Sequence, residues 1–209
     1  ATTMMSLTSW AQLSGSYTID ANGTGTSNYT TFGAATAALT TSGVSGAVTF
    51  NVASGTYTEQ VTLTAVTGAS SINTITFFGD IGNAFSPAVL TYIPLGSSDN
   101  WTLRLDGADY VTLDNLTITS GGSSYAQLVN YTGNVADFNL TNCHLIGATV
   151  SSTSTNYAGL YYSSPAMAEG TWHIKDNVFD SVSYALYVYG SGYGAGSGAD
   201  SVFIEDNTI

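Results

Sequence analysis

Four stretches of this chain superimpose without gaps: Val111-Thr-Leu113-Asp-Asn115, Phe138-Asn-Leu140-Thr-Asn142, Trp172-His-Ile174-Lys-Asp176 and Val202-Phe-Ile204-Glu-Asp206. Their central residues lie 27, 34 and 30 positions apart, and five positions beyond each comes a second apolar residue, Ile118, Leu145, Phe179 or Ile209. A further series runs between them, Tyr125-Ala-Gln-Leu128, Tyr157-Ala-Gly-Leu160 and Tyr184-Ala-Leu186-Tyr187, at spacings of 32 and 27. Within each copy apolar and polar residues alternate, the period of a strand with one buried face. A unit of about 30 residues holding three short strands cannot bury its apolar face alone, so successive units must stack. The expected fold is therefore all-β, a parallel β-helix in which each strand pairs with its equivalents one coil above and one below.

Before the repeats the period differs. Tyr29, Phe32, Ala35 and Leu39 recur at helical spacing, with Ser27, Asn28 and Thr30 available as caps, which predicts one short capping helix over Tyr29 to Leu39, ended before Gly43. Val48–Val52, Val61–Leu63 and Ile75–Phe77 then alternate with period two. The expected organisation is an N-terminal segment 1–14, similar to the tail of a signal peptide, followed by a β-helix over 15–209. Because Val202 to Ile209 stands in mid-coil, the helix is expected to continue or to be capped by another chain beyond 209.

Charged residues make up only 8% of the chain, and Thr, Ser, Asn and Gly supply its polar surface. Two cations, Arg104 and Lys175, face fourteen acidic residues, giving a formal charge of -12. That balance opposes binding to nucleic acid, and no apolar run is long enough for direct membrane insertion. With a single cysteine, Cys143, no internal disulfide forms, and a buried thiol is the expectation.

Thr31-Phe-Gly-Ala-Ala-Thr-Ala-Ala-Leu39 followed by Val48-Thr-Phe-Asn-Val-Ala-Ser-Gly-Thr-Tyr-Thr-Glu59 resembles the N-terminal cap and first coil of the pectin lyase-like superfamily of right-handed parallel β-helices. Ser54-Gly-Thr-Tyr-Thr-Glu-Gln-Val61 is similar to the opening of pectin methylesterases, and the whole start resembles N-terminal modules of large secreted and surface proteins of Bacteroidota. The resemblance implies no catalytic residue here. Tyr125-Ala-Gln-Leu-Val129 stands in place of the methylesterase glutamine-rich phrase, and Asp137-Phe138 continues as Asn-Leu.

The functional expectation is a non-catalytic structural or glycan-binding module of a secreted or bacterial cell-surface protein, an adhesin stalk or fibre element. Its partners would be glycans, or neighbouring copies or domains stacked on the open end. The alternative is a pectin lyase-like carbohydrate-active enzyme, a lyase, esterase or hydrolase, with its site on the face bearing Arg104, Asp99, Asp106 and Asp109 or among the late tyrosines. Tyr161, Tyr162, Tyr187 and Tyr189 are candidates for a sugar-stacking surface. Asn115, Asn142, Asp176 and Asp206 recur at one corner and suit a structural ladder of turn residues. Asp99, Asp106 and Asp109 concentrate acidity where Ca2+ would bind if any cofactor does. Asp180-Ser-Val and Asp200-Ser-Val are similar to an O-glycan acceptor pattern, making Ser181 and Ser201 candidate acceptors.

Overall fold

A computed structural model describes residues 11–79, 87–133, 136–164, 170–190 and 201–209. It opens with β1 (Leu13–Ile19), the short β2 (Asn28–Tyr29) and α1 (Phe32–Ser42). The first coil is β3 (Val44–Val52), β4 (Gly55–Thr58) and β5 (Val61–Thr64), and the second is β6 (Ile75–Gly79), β7 (Ala88–Tyr92) and β8 (Leu103–Asp106). The third holds β9 (Val111–Asp114), β10 (Thr117–Ser120) and β11 (Val129–Thr132), and the fourth β12 (Phe138–Thr141), β13 (His144–Ile146) and β14 (Ala158–Ser164). The fifth is β15 (Thr171–Lys175), β16 (Val178–Asp180) and β17 (Tyr184–Gly190), and β18 (Ser201–Glu205) begins the next.

The first strand of every coil enters sheet A, in the order β18-β15-β12-β9-β6-β3-β1-β2. The second strands form sheet B (β16-β13-β10-β7-β4) and the third form sheet C (β17-β14-β11-β8-β5). Pairing is parallel throughout the described strands, and the repeat residues meet in register: Leu113 with Leu140, Leu140 with Ile174, Ile174 with Ile204. The tyrosine series is displaced by one residue from its sequence alignment, because Tyr184 pairs with Ala158 and not with Tyr157. β1 places Leu13 and Ser14 in sheet A, so the solenoid begins inside the segment assigned to 1–14.

The helix starts later than its periodicity suggested, because Tyr29 belongs to β2 and Thr31 is the cap. Thr31 Oγ1 accepts the Ala34 N–H at 3.0 Å, and the Glu59 carboxylate accepts those of Phe32 and Gly33 at 2.8 and 2.9 Å. Three of the four donors that a helix start leaves open are thereby satisfied. At the other end Gly43 has φ 68, and a Cβ there would lie 2.5 Å from the Thr67 carbonyl oxygen, so only glycine fits.

At the corner between sheets A and B, Asn115, Asn142, Asp176 and Asp206 all adopt left-handed backbone, with φ from 53 to 56. Asn and Asp tolerate that conformation better than other side-chain-bearing residues, which accounts for the repeat. Asn115 Nδ2 donates to the Gly79 carbonyl at 3.0 Å and Asn142 Nδ2 to Asp114 Oδ1 at 2.9 Å. A second, interior ladder lies one residue further on. Cys143 Sγ, Asn177 Nδ2 and Asn207 Nδ2 donate to the carbonyls of Leu113, Leu140 and Ile174 in the coil before, at 3.6, 2.8 and 2.7 Å. Burial pushes the Cys143 thiol up to about 12, so it acts as a packing group.

Inside, Phe50 stacks on Phe77 at 5.1 Å, and further along Tyr131 packs against Phe138 and Trp172 at 4.7 and 5.0 Å. The Tyr131 hydroxyl is buried and has no hydrogen-bond partner among the described residues. Tyr131→Phe keeps the ring contacts and removes an unsatisfied polar atom, so it is expected to raise stability by about 1 kcal/mol, read as a higher denaturant midpoint at unchanged slope. At the last coil Val202 and Ile204 are roughly half-exposed, where their partners Trp172 and Ile174 are buried.

Candidate functional site

Alternation along the third strands sends one side chain in two outward, and parallel register stacks these into columns. On sheet C one column reads Thr62, Arg104, Asn130, Tyr161 and Tyr187. Beside it run Thr64, Asp106 and Thr132, with Ser163 paired to Tyr189 further along. Together they form a continuous outer face carrying one of the chain's two cations.

Arg104 is held rigidly. Its Nε donates to Asn130 Oδ1 at 3.0 Å and its guanidinium carbon lies 3.2 Å from the Trp101 ring centroid, a close cation–π stack. Asn130 Nδ2 donates to Gln127 Oε1 at 2.7 Å, the Gln127 backbone N–H to Asn100 Oδ1 at 3.1 Å, and Asn100 Nδ2 to the Asn156 carbonyl at 3.3 Å. Gln60 Nε2 fixes the loop carrying Trp101 by donating to the carbonyls of Asp99 and Trp101 at 2.7 and 3.0 Å. Asn100, Gln127 and Asn130 are all buried, so this polar chain is built into three successive coils. Burial draws the Arg104 pKa below the ordinary arginine value while Asp106 pulls the other way. No partner engages its terminal Nη groups among the described residues, which leaves a forked donor facing outward.

Tyr161 and Tyr187 lie next along the column, stacked at 5.4 Å and 7°. That separation is too short for two rings side by side in one plane. They overlap like roof tiles, presenting edges and hydroxyls rather than a flat floor. Tyr189 is 59% exposed on the neighbouring column, whereas Tyr162 is 2% exposed and packs on Trp172, so Tyr162 belongs to the core and not to a sugar-stacking surface. Tyr161 and Tyr162 are consecutive in β14, so only one of them can point outward.

The acidic candidates do not converge. Asp99 closes its own turn by accepting the N–H groups of Leu95 and Gly96 at 3.2 and 2.7 Å and the Tyr92 hydroxyl at 3.3 Å. Those bonds, the Leu95 one foremost, hold its carboxyl below the ordinary aspartate value. Asp106 accepts the Thr132 hydroxyl at 2.9 Å, and Asp109 accepts the Ala136 N–H one coil on at 2.7 Å. Among the described residues no three acidic, histidine or cysteine side chains assemble as metal ligands, and Asp99, Asp106 and Asp109 each accept a hydrogen bond at a separate place. Ser181 is exposed and donates to Asp180 Oδ1 at 2.9 Å, and Ser201 is exposed at the start of β18. No described helix is long and apolar enough to cross a membrane.

Trp101, Gln60, Asn100, Gln127 and Asn130 were not singled out by sequence. The available signal was weak: Gln127 and Asn130 interrupt an otherwise apolar run, Ala126 to Tyr131, where a buried polar residue demands a partner.

No protein-family model matches the chain, and no curated protein sequence does. Among solved structures it is similar to the crystal structure of the pectin methylesterase from Aspergillus niger in deglycosylated form, at 20% identity and TM-score 0.58 over 94% of this chain and 57% of that one. The penultimately deglycosylated form of that enzyme matches at 22% identity and TM-score 0.52, over 82% and 52% of the two chains. This chain thus spans little more than half the length of the enzyme it matches. At such identity the likeness concerns the fold alone: the chain is a right-handed parallel β-helix of about 6 turns, the fold of that enzyme.

Proposed function

We propose that this chain is the glycan-engaging β-helix of a secreted, pectin lyase-like carbohydrate-active protein, and that it grips an extended glycan along the outer face of sheet C. The observation that carries this reading is the preorganised Arg104, stacked on Trp101 and tethered through Asn130 and Gln127 to Asn100. A surface arginine needs none of that support, whereas a site that must aim donors at sugar hydroxyls does. Tyr161, Tyr187 and Tyr189 extend the same face with ring edges and phenol groups suited to sugar contacts. The likeness to a pectin methylesterase supports a carbohydrate-active protein over the stalk or fibre expected from sequence. The near absence of lysine and arginine supports an extracellular setting.

One observation favours a second reading, binding without turnover. The two outward columns of sheet C described above carry one carboxylate, Asp106, and acid–base hydrolysis of glycosides needs a pair. Incubation with acidic and neutral polysaccharides, with and without calcium, discriminates the readings. Release of shortened, unsaturated or de-esterified products establishes an enzyme, retention alone establishes a binding module, and the absence of both overturns the glycan assignment.

A further inference from the structure

We propose a second carbohydrate subsite on sheet A, on the far side of the corner from the Arg104 face, which takes one neutral glycosyl unit. A depression of about 250 Å³ opens there, and Thr74, Tyr110, Asp137, Asn139, Thr171 and His173 line it. That volume suits a single sugar ring. The groove arises because Tyr110 and Asp137 occupy the same corner in successive coils, both in left-handed backbone with φ 58 and 43. The next coil has Gly170 there, where a Cβ would lie 2.7 Å from Asp137 Oδ1, so the absent side chain leaves room for the Asp137 carboxylate. Asp137 Oδ1 accepts the Thr171 N–H at 2.7 Å and is fixed by it.

The remaining polar capacity is unspent. Asn139 Nδ2 donates to Thr112 Oγ1 at 3.1 Å, leaving its amide oxygen open. The Tyr110 and Thr171 hydroxyls and both His173 ring nitrogens have no hydrogen-bond partner among the described residues. His173 stacks on Phe203 at 5.0 Å and 9°, which holds the imidazole plane in place. Convergent hydroxyl, amide, carboxylate and imidazole groups with no lysine or arginine in the lining match a ligand rich in hydroxyls and free of charge. A protein of net charge -12, with a carboxylate in the groove itself, disfavours an anionic ring. Two sites on different sheets would let one molecule hold two glycan strands.

The chain's two histidines provide the probe, because His144 lies on sheet B and His173 in the groove. The full chain is titrated with cellohexaose, xylohexaose, mannohexaose and galactohexaose while the histidine ring protons are followed by NMR. At least one oligosaccharide is expected to shift His173 and leave His144 in place. The double variant Tyr110→Phe and Thr171→Val, which removes two hydroxyls at nearly constant shape, should weaken that titration about tenfold. Arg104→Ala should leave it unchanged, which separates this site from the sheet C assignment. A His173 signal that no oligosaccharide moves, or a shift of equal affinity in the double variant, overturns the proposal.

Discussion

Asn177→Ala is expected to lower the free energy of unfolding by about 4 kcal/mol, although it removes only a small polar side chain. Asn177 is fully buried at the corner between sheets A and B. Its Oδ1 accepts the Cys143 N–H at 2.9 Å, and its Nδ2 donates to the Leu140 carbonyl at 2.8 Å and to Asn207 Oδ1 at 3.0 Å. Alanine offers none of these. The Cys143 amide is left buried without a partner, the Leu140 carbonyl loses its side-chain donor, and each such loss costs about 1–3 kcal/mol. The cavity adds a further term. Asn207→Ala removes the bond to Ile174 and the Oδ1 that accepts the Asn177 N–H at 2.9 Å, but at a half-buried position, where water substitutes in part, and should cost less, about 2 kcal/mol. Denaturant titration compares the two variants, and amide exchange at Cys143 tests the mechanism, since that amide should lose protection first. Equal, small effects of both variants would mean that stacking of the coils, and not the interior ladder, holds the corner.

The same corner shows what sequence could and could not deliver. The recurrence of Asn115, Asn142, Asp176 and Asp206 was legible because left-handed backbone restricts residue type, and a restriction repeated in every coil becomes a pattern. The residue after it was less legible, because Leu116 and Cys143 share no chemistry with Asn177 and Asn207, and only stacking reveals that Cys143 and the two asparagines reach equivalent carbonyls. Register on sheet A followed directly from Leu113, Leu140, Ile174 and Ile204. On sheet C the tyrosines gave a false alignment, since Tyr157 and Tyr184 look alike yet Tyr184 sits opposite Ala158. Tyr161 and Tyr162 were both expected at the surface, yet consecutive strand residues face opposite ways, and Tyr162 is the one that lies in the core.

The candidate site was less legible than the scaffold for a related reason. Its members come from different coils: Gln60 precedes β5, Asn100, Trp101 and Arg104 belong to the second coil, and Gln127 and Asn130 to the third. Nothing in their local sequence links them, because the solenoid creates their proximity by parallel stacking. Acidic residues misled in the opposite sense. Asp99, Asp106 and Asp109 are close in sequence but face a turn, a strand surface and a corner, and each spends its carboxylate on a neighbouring donor.

Arg104 is the residue on which the glycan assignment turns, and its substitution is expected to give the largest functional effect. If the outward Nη groups supply the charged hydrogen bonds, Arg104→Ala should weaken retention of the polysaccharide that the wild-type chain holds by about 30-fold, near 2 kcal/mol. Arg104→Lys should recover little of this, about threefold, because an ammonium cannot stack flat on Trp101 or offer a fork while holding Asn130. Asn130→Asp provides an independent test. It places a carboxylate where the amide oxygen now accepts from Arg104 Nε at 3.0 Å, so the guanidinium gains an ion pair inside the protein. Aspartate cannot donate, so the Gln127 Oε1 contact is lost, yet retention should fall chiefly because Arg104 is neutralised. Affinity electrophoresis in gels containing the retained polysaccharide measures all three variants, with thermal unfolding run alongside to show that each is folded. Retention unchanged in folded Arg104→Ala would remove sheet C from the assignment and leave the sheet A groove as the place where glycan meets this β-helix.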